Sequence, residues 1–322
     1  MGKGEMASER PPWIRQAILA GQRYHVRTKS PLLHNGINLG ASLVLVLVLI
    51  VVAWGATVIH PAIYVPLAAY VFGNTYFALF VLVVHEASHG MFLISRNRRA
   101  RDILNRLAGW SVAIFFATHY PKHWEVGHLE HHVRPLEPTD PQAHNTLTGG
   151  VLLRRVLACV FVPGFLFLER TVFRKRKSGG KSGSTSSAII GFVVVWIVSL
   201  TLLTLTCGWP AALAAFLGIH VIVAFNHVKG SLEHGGPIGH EEDPFLRSRS
   251  TFFPGRFFLM PFNISLHFEH HLNYGVPWYE LLRYHRDLEE IVPEHVREDV
   301  WNHRPLSQLA GALGGVRQAS EA

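Results

Sequence analysis

The sequence predicts an all-α integral membrane protein in which four transmembrane helices form two hairpins beneath a cytoplasmic helical cap that carries clustered histidines. Two observations predict the membrane part. The 322-residue chain is 49% hydrophobic and 16% charged, with a mean hydropathy of +0.21, too apolar for an ordinary soluble domain. Its charges are also unevenly spread, with no Asp, Glu, Lys or Arg between Lys29 and Glu86 or between Lys181 and Lys229. The cap is predicted by a third observation: 21 His against 2 Cys, with the histidines grouped in short boxes outside the apolar segments.

Each uncharged gap far exceeds the roughly 20 residues that a helix needs to cross the hydrocarbon, so each holds two spans. His60-Pro61 divides the first gap into spans of about 38–59 and 62–84. Gly208-Trp209-Pro210 divides the second into about 188–207 and 210–227, because proline disfavours helix in the residue before it. The expected organisation is an N-terminal segment 1–37, a membrane domain 38–290 and a tail 291–322. The first apolar run is long enough to span, which makes it an anchor rather than a cleaved leader.

Arg96, Arg98, Arg99, Arg101, Arg106, Arg154, Arg155, Arg170 and the run Arg174-Lys175-Arg176-Lys177 lie between the gaps, and neither short turn carries Lys or Arg. Positive residues favour the cytoplasmic side, so both termini and the middle region are expected there. Leu107–Pro121 and Val156–Leu168 are uncharged but short, the second broken by Pro163-Gly164; both are expected to be interfacial or re-entrant.

Cys159 and Cys207 stand alone in apolar surroundings and form neither a disulfide framework nor a metal motif. A net charge of +8 could suit nucleic acid, but positive-inside bias and anionic lipid headgroups explain it better in a membrane protein. The expected surroundings are a lipid bilayer, with no nucleic-acid partner. Phe173–Ser187, basic and then rich in Gly and Ser, reads as a flexible linker. An acidic redox partner is the alternative use of its charge.

HEASHG at 85–90 places His85 and His89 four apart, on one helical face. HLEHH at 128–132 and HFEHH at 267–271 set His128, His131, His132 and His267, His270, His271 at the same spacing, with Asn226 and His234 just beyond the last span. His119 and His123 are also four apart and stand as surface or outer candidates. The expected topology brings all of these to one side of the membrane. One tetrahedral zinc uses three or four ligands, so His85, His89, His128, His131, His132, His234, His267, His270 and His271 suit two ions. Glu86, Glu130, Glu233, Glu269, Asp140 and Asp243 lie nearby in sequence and could orient rings by accepting their second N–H.

HEASHG, HLEHH and HFEHH, in that order around two apolar hairpins, resemble the three histidine boxes of the membrane fatty acid desaturase superfamily, which includes hydroxylases and carotenoid oxygenases. HHLNYGVPWYELLRYH at 270–285 is similar to the segment that follows the third box in that family. The resemblance covers roughly residues 38–290. It implies a non-haem di-iron centre (two Fe ions) held by the eight box histidines, with His234 resembling an additional ligand. His227 and His240 are possible substitutes for His234, and Asn226 resembles an Asn that reaches iron through water in some relatives. O2 is the implied co-substrate and a fatty acyl chain the implied substrate. Double-bond formation is the first expectation; hydroxylation and oxidative decarboxylation are the alternatives. The chain lacks a His-Pro-Gly-Gly haem motif, a Cys-x-x-Cys pair and a dinucleotide fingerprint, so electrons are expected from a ferredoxin, a rubredoxin or a small haem protein with its reductase.

Imidazole alone does not choose among Zn, Cu, Fe and Ni. A membrane zinc hydrolase is a rival reading that leaves most of the nine rings without a role. A metal carrier needs ionisable groups at bilayer depth, where only His220 qualifies.

Overall fold

The computed structural model describes residues 11–140, 142, 147, 149–162, 165 and 183–314. In chain order the helices are α1 (Pro12–Gly21), α2 (Pro31–Gly55), α3 (Pro61–Leu79), α4 (Arg98–Ala113), α5 (Gly127–Val133), α6 (Gly149–Phe161), α7 (Gly183–Cys207), α8 (Trp209–His234), α9 (Arg256–Leu259), α10 (His267–Leu272), α11 (Leu281–Ile291), α12 (Glu294–Val300) and α13 (Pro305–Gly314). Two short strands, β1 (Ser250–Thr251) and β2 (Trp301–Asn302), pair in parallel.

Four helices are long and apolar enough to cross a membrane: Pro31–Gly55, Pro61–Ser88, Ala188–Cys207 and Trp209–His234. Proline at the first or second position starts α2, α3 and α8, where its missing N–H costs nothing. Gly208, at φ 89°, lets the chain leave α7 and enter α8 within one residue.

Two ends differ most from the expected boundaries. Helix α2, the first candidate span, starts at Pro31 because His34 and Asn38 are buried and tied into the protein: the His34 ring lies 2.5 Å from the Met91 carbonyl, and Asn38 Nδ2 donates to the Phe92 carbonyl at 2.8 Å. Helix α8, the last candidate span, continues past residue 227 to His234, since Lys229 donates to Glu233 at 2.5 Å and the two charges compensate one helical turn apart.

Helices α3 and α8 are the more buried pair, and their mutual contact is the most extensive between any two elements among the described residues. Gly73 and Gly218 allow it: a Cβ on Gly218 would lie 2.9 Å from Phe72 Cβ and 3.0 Å from the Gly73 nitrogen. Small residues let spanning helices approach this closely. Helices α2 and α7 are the outer pair, presenting Leu43, Leu47, Ile50, Val194, Ile197 and Leu202 outward.

Among the described residues, neither short apolar stretch forms a helix long enough to span. Helix α4 ends at Ala113, followed by a 3-10 turn, and exposes Ile103, Leu104 and Leu107; α6 exposes Leu153, Leu157 and Phe161. Of the segment expected to be a flexible linker, residues 173–182 lie outside the described residues. Residues 183–187 form the first turns of α7 instead of loop.

Ile14 and Ala17 of α1 share one buried cluster with Phe268 and Leu272 of α10, Leu281, Tyr284 and Leu288 of α11, and Val292, Val300 and Trp301. Residues from 1–37 and 291–322 therefore pack directly on the third histidine box.

Candidate metal centre

The nine histidines converge as two groups. His85, His89, His128, His132 and His270 form one, and His131, His234, His267 and His271 the other, with the donor atoms of each group within 4.8 Å of one another. All are buried except His89, which is half-buried.

Local backbone geometry aims the rings. A π turn at Phe80–His85 precedes the first box, and another at Pro121–Val126 leads into α5. Such turns insert an extra residue per turn and change the direction of the side chains that follow. Helices α5 and α10 each supply rings to both groups.

Several rings are held from behind. Asp140 Oδ2 accepts from His131 Nδ1 at 2.9 Å and from the Leu136 N–H at 2.8 Å, while Oδ1 accepts from the Gln142 N–H at 2.7 Å. His234 Nδ1 donates to the Arg247 carbonyl at 2.7 Å, which leaves Nε2 facing the group. The Gln142 side-chain amide lies 2.9 Å from His128 Nδ1. Glu86 Oε1 is 3.4 Å from His85 Nδ1, and Glu233 Oε1 is 3.4 Å from His267 Nδ1.

Inside the groups, ring nitrogens face each other without conventional partners. His128 Nε2 and His132 Nε2 are 3.2 Å apart, and His234 Nε2 and His267 Nε2 are 2.9 Å apart. Two ligands at about 2.1 Å from one ion and at right angles to each other are about 3.0 Å apart. Buried nitrogens of His85, His89, His132, His270 and His271 have no hydrogen-bond partner among the described residues, an arrangement that is costly unless another group satisfies them. The donor set fits a metal pair.

Electrostatics agree. Burial, and then repulsion between adjacent imidazoles, holds His128, His132, His267, His270 and His271 well below the ordinary imidazole range, and His89 is pushed down to about 3. Metal ligation requires neutral imidazole. Burial raises the Asp140 carboxyl, but the His131 hydrogen bond and charge, with the two backbone N–H groups, bring it below its ordinary value.

Other sequence candidates lie elsewhere. Asn226 and His240 are exposed, and His227, though buried, belongs to neither group. His123 Nδ1 lies 3.1 Å from Thr118 Oγ1, and His119 packs edge-on against Trp110. Glu130 accepts from Thr139 at 3.3 Å, Asp243 caps the Phe245 N–H at 3.0 Å, and Glu269 is bound by His285 and Trp301 rather than by a box histidine. Gln142, the Arg247 carbonyl and the layer formed by His34, Asn38, Trp278 and Tyr279 carry no sequence signal, because their partners are more than ten residues away in the chain.

The chain is a helical protein with four candidate spans and two histidine groups that could each hold a metal ion. The model of the family described as "Fatty acid desaturase" matches residues 62–302, and the chain belongs to that family. None of the curated proteins compared matches it. Family membership implies an oxidoreductase and a membrane setting.

Proposed function

We propose that the chain is an O2-dependent di-iron oxidoreductase that introduces a double bond into a fatty acyl chain. The observation that carries this is the pair of histidine groups, five rings and four, all but His89 buried, each with its donor atoms close enough together to hold an ion. His85, His89, His128, His132 and His270 would hold one iron and His131, His234, His267 and His271 the other. Asp140, Gln142 and the Arg247 carbonyl orient these rings, and Glu86 and Glu233 lie 3.4 Å from His85 and His267. Two irons bound there would supply oxidation of an unactivated C–H bond, which zinc cannot. In the balanced reaction, dioxygen is reduced to two waters by the substrate's two hydrogens together with two electrons and two protons from outside. The electrons come from a ferredoxin, a rubredoxin or a small haem protein with its reductase.

Burial of the groups keeps bulk water from the reacting carbon. The basic segments between the spans support a cytoplasmic location for the cap and both termini, with the spans paired as hairpins. Metal analysis of detergent-purified protein, with Mössbauer spectroscopy of an iron-enriched sample, tests the centre, and products from fatty acyl substrates test the reaction. A coupled iron pair and an alkene product are expected. A single zinc persisting after growth in iron-rich medium would refute the assignment, and an alcohol product would move it to hydroxylation.

A further inference from the structure

Helix α10 carries His270 for the group of five and His267 and His271 for the group of four. Rotation of this one short helix would displace rings in both groups together, so whatever fixes its rotation matters to both. Glu269, fully buried on the same helix, belongs to neither group. Its Oε1 accepts from His285 Nδ1 at 2.7 Å and from Trp301 Nε1 at 2.9 Å, and its Oε2 accepts from the Ser250 hydroxyl. Ser250 Oγ in turn accepts the Phe268 N–H at 3.0 Å, closing the network back onto α10.

The donors arrive from β1, α11 and β2. Strand pairing sets Ser250 opposite Trp301, the Phe252 N–H donates to the Asn302 carbonyl at 2.8 Å, and the His285 ring packs edge-on against Trp301 at 4.8 Å. A carboxylate has about four acceptor positions and no donor of its own, and hydrogen bonds to a charged group are roughly twice as strong as neutral ones. Three donors from separate segments thus converge on the one acceptor that can take them all.

We propose that Glu269, Ser250, His285 and Trp301 form a clamp that sets the rotation of α10 and thereby holds both metal sites, with His285 and Trp301 acting as positioning residues. The inference rests on the two-metal assignment above. It makes the segment beyond residue 290 part of the site's framework.

The test uses full-length protein loaded with iron in detergent. Trp301→Phe keeps an aromatic ring but loses the N–H, His285→Phe removes the other donor, and His285→Gln restores an N–H. Iron per chain, the rate of stripping by a chelator and the melting temperature of the metal-free protein are measured. Trp301→Phe and His285→Phe are expected to lose both irons together, about 10–100-fold faster than wild type. His285→Gln is expected to recover most of the retention, although the melting temperatures of the two metal-free His285 variants stay close. Wild-type stripping rates in the two Phe variants, loss of one iron alone, or no recovery in His285→Gln would overturn the clamp while leaving the two-metal assignment intact. Wild-type protein that takes up no metal pair would overturn both.

Discussion

Replacing Asp140 by Asn is expected to release one metal ion before the other. The carboxylate takes three donors, His131 Nδ1, the Leu136 N–H and the Gln142 N–H, at 2.9, 2.8 and 2.7 Å. An amide has one acceptor oxygen, so whichever way it turns, at least one donor faces an NH2 group. The His131 contact also loses its charge assistance, which roughly halves its strength. Loss of such a partner behind a metal-bound histidine lowers metal affinity about 10–100-fold, or about 1.4–2.7 kcal/mol. His131 belongs to the group of four, so that ion is lost first, while the group of five is reached only indirectly through Gln142. Dialysis against graded chelator, with iron counted per chain, reads the two affinities. Mössbauer spectra should change from a coupled pair to an isolated iron. Retention of both ions at wild-type affinity, or their loss in parallel, would refute the reasoning.

His267→Ala is expected to abolish turnover while leaving membrane insertion intact; full activity would remove that ring from the ligand set. Gly218→Leu forces a side chain into the α3–α8 crossing, where overpacking costs about 1–3 kcal/mol, so melting temperature and iron retention should both fall. Gly36→Leu, at a site with nothing within 4 Å, should leave both unchanged, and equal effects would refute the crossing argument. Acidification should destabilise the metal-free protein. In the folded state His89, His128, His132, His267, His270 and His271 titrate below the unfolded value of about 6.5, so their contribution is present above that pH and is lost as pH falls towards the folded values. Each costs about 1.4 kcal/mol per pH unit below 6.5. Equal stability in denaturant unfolding at pH 7.5 and 5.5 would contradict the neutral assignment.

The four spans were legible because uncharged length is a one-dimensional property that a bilayer reads directly. Convergence of the histidines was legible because the first box and His234 sit at the ends of spans and the other two boxes repeat one helical spacing outside the apolar segments. The start of the first span was not, because it depends on distant partners, Asn38 meeting Phe92 and Trp278. Glu269 misled for the same reason. Its position between ligands suggested a ring partner, whereas its acceptors are filled by Ser250, His285 and Trp301, from strands of two residues each and from a helix beyond the box. No periodicity encodes such contacts.

The repeated five-residue box has a geometric logic of its own. At about 100° per residue, positions i and i+4 differ by about 40° around a helix, while i+3 lies about 60° to the other side of i. A helix placed between two ions can therefore offer its i and i+4 rings to one and its i+3 ring to the other. In α5, His128 and His132 enter the group of five and His131 the group of four; in α10 the assignment is reversed, with His267 and His271 in the group of four and His270 in the group of five. The two boxes thus exchange roles across the centre. The remaining imbalance comes from the first box, which supplies two rings to one group, against His234 alone for the other. It follows that His128→Ala and His131→Ala, though only three positions apart, should weaken different ions, and that His131→Ala and His267→Ala should weaken the same one. Chelator titration of the three variants, read by iron content and by Mössbauer spectra, would show the pairing; variants of one box that always lost the same ion would exclude a helix shared between two sites.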